Sequence, residues 1–67
     1  MFIEFETASG RTTLNVRQIV QVTKSKIGDH TLLILANGKE VEVNPPYEEV
    51  CDSIERVVQD YMEGGAD

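Results

Sequence analysis

Thr31-Leu32-Leu33-Ile34-Leu35-Ala36-Asn37-Gly38-Lys39-Glu40-Val41-Glu42-Val43-Asn44-Pro45-Pro46-Tyr47 is the stretch that decides the fold. An apolar run reaches Asn37-Gly38 and returns as a strand in which glutamate alternates with valine. Asn-Gly supplies the two positive-φ residues of a type I′ turn, so a tight β-hairpin is expected here. Beyond the proline pair the apolar spacing switches from two to 3.6 residues, the mark of a sheet handing over to a helix.

With Asn37-Gly38 as a two-residue loop, Ile34 lies opposite Val41 and Leu32 opposite Val43, and these four make a core face. The other face then carries Leu33 and Leu35 across from Glu42 and Glu40. Two leucines on the wet side of so small a sheet call for a second layer or a partner to cover them.

Upstream, Ser9-Gly10 reads as a second hairpin turn. It sets Phe5 against Leu14, Ile3 against Val16, Glu6 against Thr13 and Glu4 against Asn15. Apolar pairs share one face and polar pairs the other, as in a half-buried antiparallel ribbon. A bend is expected over 15–18, a third strand over 19–23, and a break at Gly28-Asp29-His30.

The helix is expected over about 46–62, with Pro46 at its start, where a missing N–H costs nothing, and Glu48 and Glu49 in its first turn. Tyr47, Val50, Cys51, Ile54, Val57, Val58, Tyr61 and Met62 recur at spacings of three and four and form one apolar stripe. This stripe is expected to cover a face made of Ile3, Phe5, Leu14, Val20, Val22, Ile34 and Val41. Gly64-Gly65 is a C-cap pattern, and 63–67 reads as a frayed tail. The expected fold is therefore α+β: a four- to five-stranded antiparallel sheet with one C-terminal amphipathic helix on one face, in a single domain over 1–67.

The chain has 67 residues, near the lower limit for a self-sufficient core. Its one cysteine, Cys51, argues against a secreted disulfide scaffold and against a thiolate zinc site. The N-terminal residues include Glu4 and Glu6 where a signal peptide needs basic residues and an unbroken apolar run, and no window approaches the length of a membrane span. A cytoplasmic location and no membrane are the expectation.

Twelve acids against six bases give a net charge of −6, which disfavours phosphate neutralisation and so nucleic-acid binding. The bases Arg11, Arg17, Lys24 and Lys26 are nevertheless concentrated between 11 and 26, and they are the candidate anion or nucleic-acid contacts.

Catalysis needs a nucleophile, a base and an orienting group converging in a pocket. The lone His30 stands in a turn, and Cys51 stands in the apolar stripe beside Glu48, Glu49 and Asp52, which would raise its pKa. Neither Gly10 nor Gly38 opens a helix as a phosphate loop would. No catalytic, cofactor or metal residue is expected, and no enzyme.

The order of elements resembles the small flagellar FlbD-type proteins. The likeness is carried by Gly10-Arg11, Leu14-Asn15, Ile19-Val20, Thr31 to Leu35, Asn37-Gly38-Lys39, Val41 and Val43, and Glu48-Glu49-Val50 with Ile54. It spans nearly the whole chain, with Asn44-Pro45-Pro46 in place of a Glu-Ser-type helix entry and a more acidic charge. The resemblance implies a β-rich fold with a C-terminal helix, no catalysis and an accessory role. The strand–turn–strand–helix end is also similar to LytTR-type DNA-binding domains, which are longer and basic on their reading loops.

The leading expectation is a non-enzymatic interaction module working as a homodimer or larger homo-oligomer, with Ile19, Leu33, Leu35, Glu40 and Glu42 at the interface. The alternatives are a nucleic-acid-associated regulator, or a small acidic accessory protein of a phage or plasmid that inhibits or adapts a basic partner.

Overall fold

The structure is a computed structural model that describes the backbone of residues 1–66 and the side chains of residues 1–61. Strands β1 (Phe2–Thr7) and β2 (Gly10–Asn15) form an antiparallel ribbon. A 3-10 turn, Val16–Gln18, leads into β3 (Ile19–Lys24). β4 (Thr31–Leu35) and β5 (Glu40–Val43) complete a three-stranded antiparallel sheet ordered β3-β4-β5. Helix α1 (Tyr47–Ala66) closes the chain. The fold is thus α+β, but its five strands divide into two sheets. One backbone bond links them: Asn44 N–H, just past β5, donates to Glu6 O of β1 at 2.8 Å.

The β4–β5 turn departs from the type I′ expectation, and the consequence is large. Among the described residues only glycines have positive φ, so Asn37 does not take the left-handed conformation that type I′ requires. Gly38 alone does, at φ +86°. Its N–H donates to Leu35 O at 2.9 Å, and Leu35 N–H donates to Lys39 O at 2.9 Å. This is a type I turn over Ala36-Asn37 followed by a left-handed glycine, a three-residue loop. Asn37 Oδ1 holds it by accepting from Lys39 N–H at 3.0 Å.

One extra loop residue slips the register by one. Leu33 faces Val41, Thr31 faces Val43, Leu32 faces Glu42 and Ile34 faces Glu40. A one-residue slip exchanges the two faces of a strand. Leu33, expected on the wet face, is therefore fully buried, while Leu32 and Ile34 turn outward and are only partly covered.

The first hairpin turns on Ala8-Ser9 rather than Ser9-Gly10, pairing Thr7 with Gly10, Phe5 with Thr12 and Ile3 with Leu14. Thr7 Oγ1 fixes the turn by accepting from Ser9 N–H at 3.2 Å and donating to Gly10 O at 2.7 Å. The slip here is two residues, so the expected faces survive although the partners change. Ile3 and Phe5 are buried, and Glu4 and Glu6 are exposed.

In β3 a bulge between Ile19 and Gln21 disturbs the alternation. Ile19 and Val22 pack on the core, whereas Val20, expected in it, is 64% exposed.

Pro46 supplies the first helical acceptor, taking Val50 N–H at 3.0 Å. Val50 is completely buried, and Ile54, Val57 and Val58 extend the same stripe over a core of Ile3, Phe5, Val16, Leu33 and Val43. The apolar stripe thus covers a face, but one built on Leu33 and Val43 in place of Val20 and Ile34. The helix is described through Ala66, past the expected Gly64-Gly65 stop. A glycine is only about 1 kcal/mol less favourable than alanine within a helix, so glycine alone does not oblige the helix to end. The Met62 side chain and Asp67 lie outside the described residues.

Candidate interaction surfaces

The alternation of β4 gives the three-stranded sheet an outer face opposite the buried Leu33. Leu32 and Ile34 stand at its centre. Glu42 and Glu40 of β5 flank them on one side, Thr23 and Gln21 of β3 on the other. Both glutamates are exposed. An apolar pair with carboxylates on one flank was thus legible in the sequence, with each leucine displaced by one position.

The structure redistributes the five expected interface residues. Leu33 is in the core, Ile19 packs against it, and Leu35 is half-buried opposite Ile19. Only Glu40 and Glu42 stand on the outer face. The register explains the first change and the β3 bulge the second.

The four bases do not converge, because they sit on different elements and three of them are engaged within the chain. Arg11 spans Glu4 at 3.5 Å and Glu6 at 3.9 Å, all three exposed, so the pairing is worth little energetically but spends the charge locally. Arg17 Nη2 donates to the Tyr61 hydroxyl at 3.2 Å and lies 5.5 Å from the centre of its ring. Lys24 lies 6.0 Å from the Tyr47 ring centre. Lys26 is exposed in the loop before β4.

That loop is the most organised irregular segment. Ser25 N–H donates to His30 O at 3.0 Å, and Ser25 Oγ donates to Glu42 and accepts from Ile27 N–H. His30 Nδ1, as its protonated tautomer, reaches Asn44 O at 3.1 Å. The buried Thr31 hydroxyl donates to Pro45 O at 2.8 Å. Two adjacent side chains thus hold the Asn44–Pro46 entry to the helix, satisfying carbonyls that the prolines leave without a ladder partner.

A cavity of about 200 Å³ opens beside this junction, lined by Lys24, Ser25, His30, Tyr47 and Glu48 among others. Pairing with the Cys51 thiol one helical turn on raises the Tyr47 pKa above its usual 10.0, and burial adds to the rise. Cys51 is a half-buried free cysteine.

No three His, Cys, Asp or Glu side chains among the described residues are placed to share a metal ion. No described helix is long and apolar enough to cross a membrane.

The exposed large apolar side chains among the described residues, Phe2, Val20, Ile27 and Tyr61, are dispersed over strands, loop and helix, while Leu32 and Ile34 are partly covered. Compared with known proteins, the chain matches no family model, no curated protein and no solved structure.

Proposed function

We propose that this chain is a non-catalytic interaction module. The outer face of its β3-β4-β5 sheet takes a transient contact from a partner bearing an apolar stripe edged with lysine or arginine. The carrying observation is the placement of Leu32 and Ile34 between the uncharged Thr23 and Gln21 of β3 and the exposed carboxylates of Glu40 and Glu42. Three strands and four residues span about 14 Å by 13 Å. That is far below the roughly 800 Å² per partner of a stable complex, so the face suits a weak encounter steered by charge.

A second copy on this same face would bring four glutamates towards one another around that small patch, which disfavours a homodimer built there. The lone histidine, His30, serves the fold through Asn44 O. The resemblance to FlbD-type proteins points to the same accessory role.

A designed amphipathic leucine–lysine helical peptide is a suitable probe, followed by amide chemical shifts in ¹⁵N-labelled protein. Shifts centred on Leu32, Ile34, Glu40 and Glu42, with affinity reduced about tenfold or more in Glu40→Lys, Glu42→Lys, are expected. Shifts centred on α1, or an affinity indifferent to the charge reversal, would refute the assignment.

A further inference from the structure

The two sheets have four edge strands, β1, β2, β3 and β5. β1 and β5 lie against one another and share the Asn44 N–H to Glu6 O bond, which leaves β2 and β3 as the edges to compare. They are not equivalent. The bulge between Ile19 and Gln21 interrupts β3, and a bulged edge is a poor template for another strand. β2 is regular over six residues, contains no proline, and pairs in an unbroken register with β1.

Which backbone groups β2 presents outward follows from the ladder. In an antiparallel pair, residues alternate between positions bonded to the partner strand and positions whose N–H and C=O point away from it. Val16 N–H donates to Met1 O at 3.0 Å, which marks Met1/Val16 as a bonded position. The same phase makes Ile3/Leu14, Phe5/Thr12 and Thr7/Gly10 bonded. On the β1 side, the free phase includes Glu6, and its carbonyl does bond outward, to Asn44 N–H. On the β2 side the free phase is Arg11, Thr13 and Asn15. Among the described residues no hydrogen bond beyond the strand ladders engages the main-chain N–H or C=O of Arg11 or Thr13, or the N–H of Asn15, whose C=O stands at the N-cap of the 3-10 turn.

We propose that this edge pairs with the same edge of a second copy, β2 against β2 in antiparallel register about a two-fold axis through Thr13. In that register Thr13 faces Thr13, and Arg11 faces Asn15 in both directions. All six outward N–H groups find carbonyls across the axis. Thr12 faces Leu14 on the core side, so two half-buried Leu14 side chains gain cover at the seam. Thr–Thr pairs across strands are favourable, and no like charges stand directly opposite.

Charge also selects the occupant. The chain carries −6, yet β2 holds one base and no acid. β3 shares that balance, with Lys24 and no acid, so both candidate edges let two acidic copies approach without a carboxylate in the strand, and the bulge in β3 leaves β2 as the regular one. This surface is distinct from the outer face of the other sheet, so self-association and partner binding fail or succeed separately.

The interface is small, so the dimer is expected to populate at tens to hundreds of micromolar protein. Sedimentation over that range should show a mass rising from 7.5 kDa towards twice that value. Thr13→Pro removes the central donor from an edge where proline is tolerated, and should leave a folded monomer by circular dichroism. Because a strand proline can also unfold so small a domain, a cross-linking arm runs in parallel. In a Cys51→Ser background, Thr13→Cys places two sulfurs across a bonded pair, with Cα atoms about 5.5 Å apart, within disulfide reach. Arg11→Cys places its two sulfurs four residues apart along the seam. A covalent dimer from Thr13→Cys at least tenfold faster than from Arg11→Cys is the expected result. Equal rates at the two positions would overturn the pairing, as would a wild type monomeric at about 1 mM.

Discussion

Truncating Leu33 tests the β4–β5 register, on which the outer face of the three-stranded sheet rests. Leu33→Ala removes three carbons from a side chain with 0% exposure. At about 0.8 kcal/mol per buried carbon the transfer loss is about 2.4 kcal/mol. The cavity left among Val22, Val41 and Val50 lifts the total to about 3–5 kcal/mol. A domain of this length has about 3–10 kcal/mol in all, so the variant should be largely or wholly unfolded near 25 °C. Leu32→Ala, on the partly covered outer face, should cost about 1 kcal/mol and keep a cooperative transition. Urea denaturation followed by far-ultraviolet circular dichroism measures both, with midpoints compared at constant slope. The lysine pair sharpens the contrast: Leu32→Lys should fold, and Leu33→Lys should not. If Leu33→Ala were milder than Leu32→Ala, the strand would be registered on a two-residue Asn37-Gly38 loop, and the outer face described above would be the inner one.

Gly38→Ala should cost about 1–2 kcal/mol from its left-handed φ alone, since open space surrounds the new Cβ. Asn37→Ala should cost under about 1 kcal/mol, one side-chain hydrogen bond; a larger loss at Asn37 than at Gly38 by chemical denaturation would restore the type I′ turn. Val50→Ala, at a fully buried position, should cost about 2–3 kcal/mol and exceed Ile54→Ala, which is only partly buried, even though isoleucine loses more atoms; the reverse order would rotate the helix. The folded Tyr47 pKa stands above its unfolded value, so the associated stability is complete below about pH 10 and lost as pH rises through the folded value. Ultraviolet titration of Tyr61→Phe should give a midpoint above 10, and a midpoint at or below 10 would remove the Cys51 contact as its cause. Duplex DNA should show no sub-micromolar binding at physiological salt, with Arg11 held by Glu4 and Glu6; a tight complex that weakens steeply with added salt would contradict this.

How far the residues disclose the fold depends on where they carry alternation. In β1, Ile3 and Phe5 alternate with Glu4 and Glu6, and any register error of two leaves those faces intact. The helix announces itself equally well, because Val50, Ile54, Val57 and Val58 recur with its period. β4 is different. Leu32-Leu33-Ile34-Leu35 is apolar at every position, so nothing within the run says which pair is buried. Both candidate registers keep Val41 and Val43 inward on β5 and differ only in whether Leu33 or its neighbours join them. Two cues outside the run decide it. Asn37 stays at negative φ, which adds a loop residue. Thr31, the polar end of the strand, can be buried because the Pro45 carbonyl accepts from its hydroxyl. That second cue spans fourteen residues and depends on a helix entry bent by two prolines, so no local pattern contains it. The same choice determines which leucines are left to meet a partner. An assignment of Leu33 to an interface and one of Leu32 and Ile34 differ by one residue in a turn, and by the whole identity of the exposed surface.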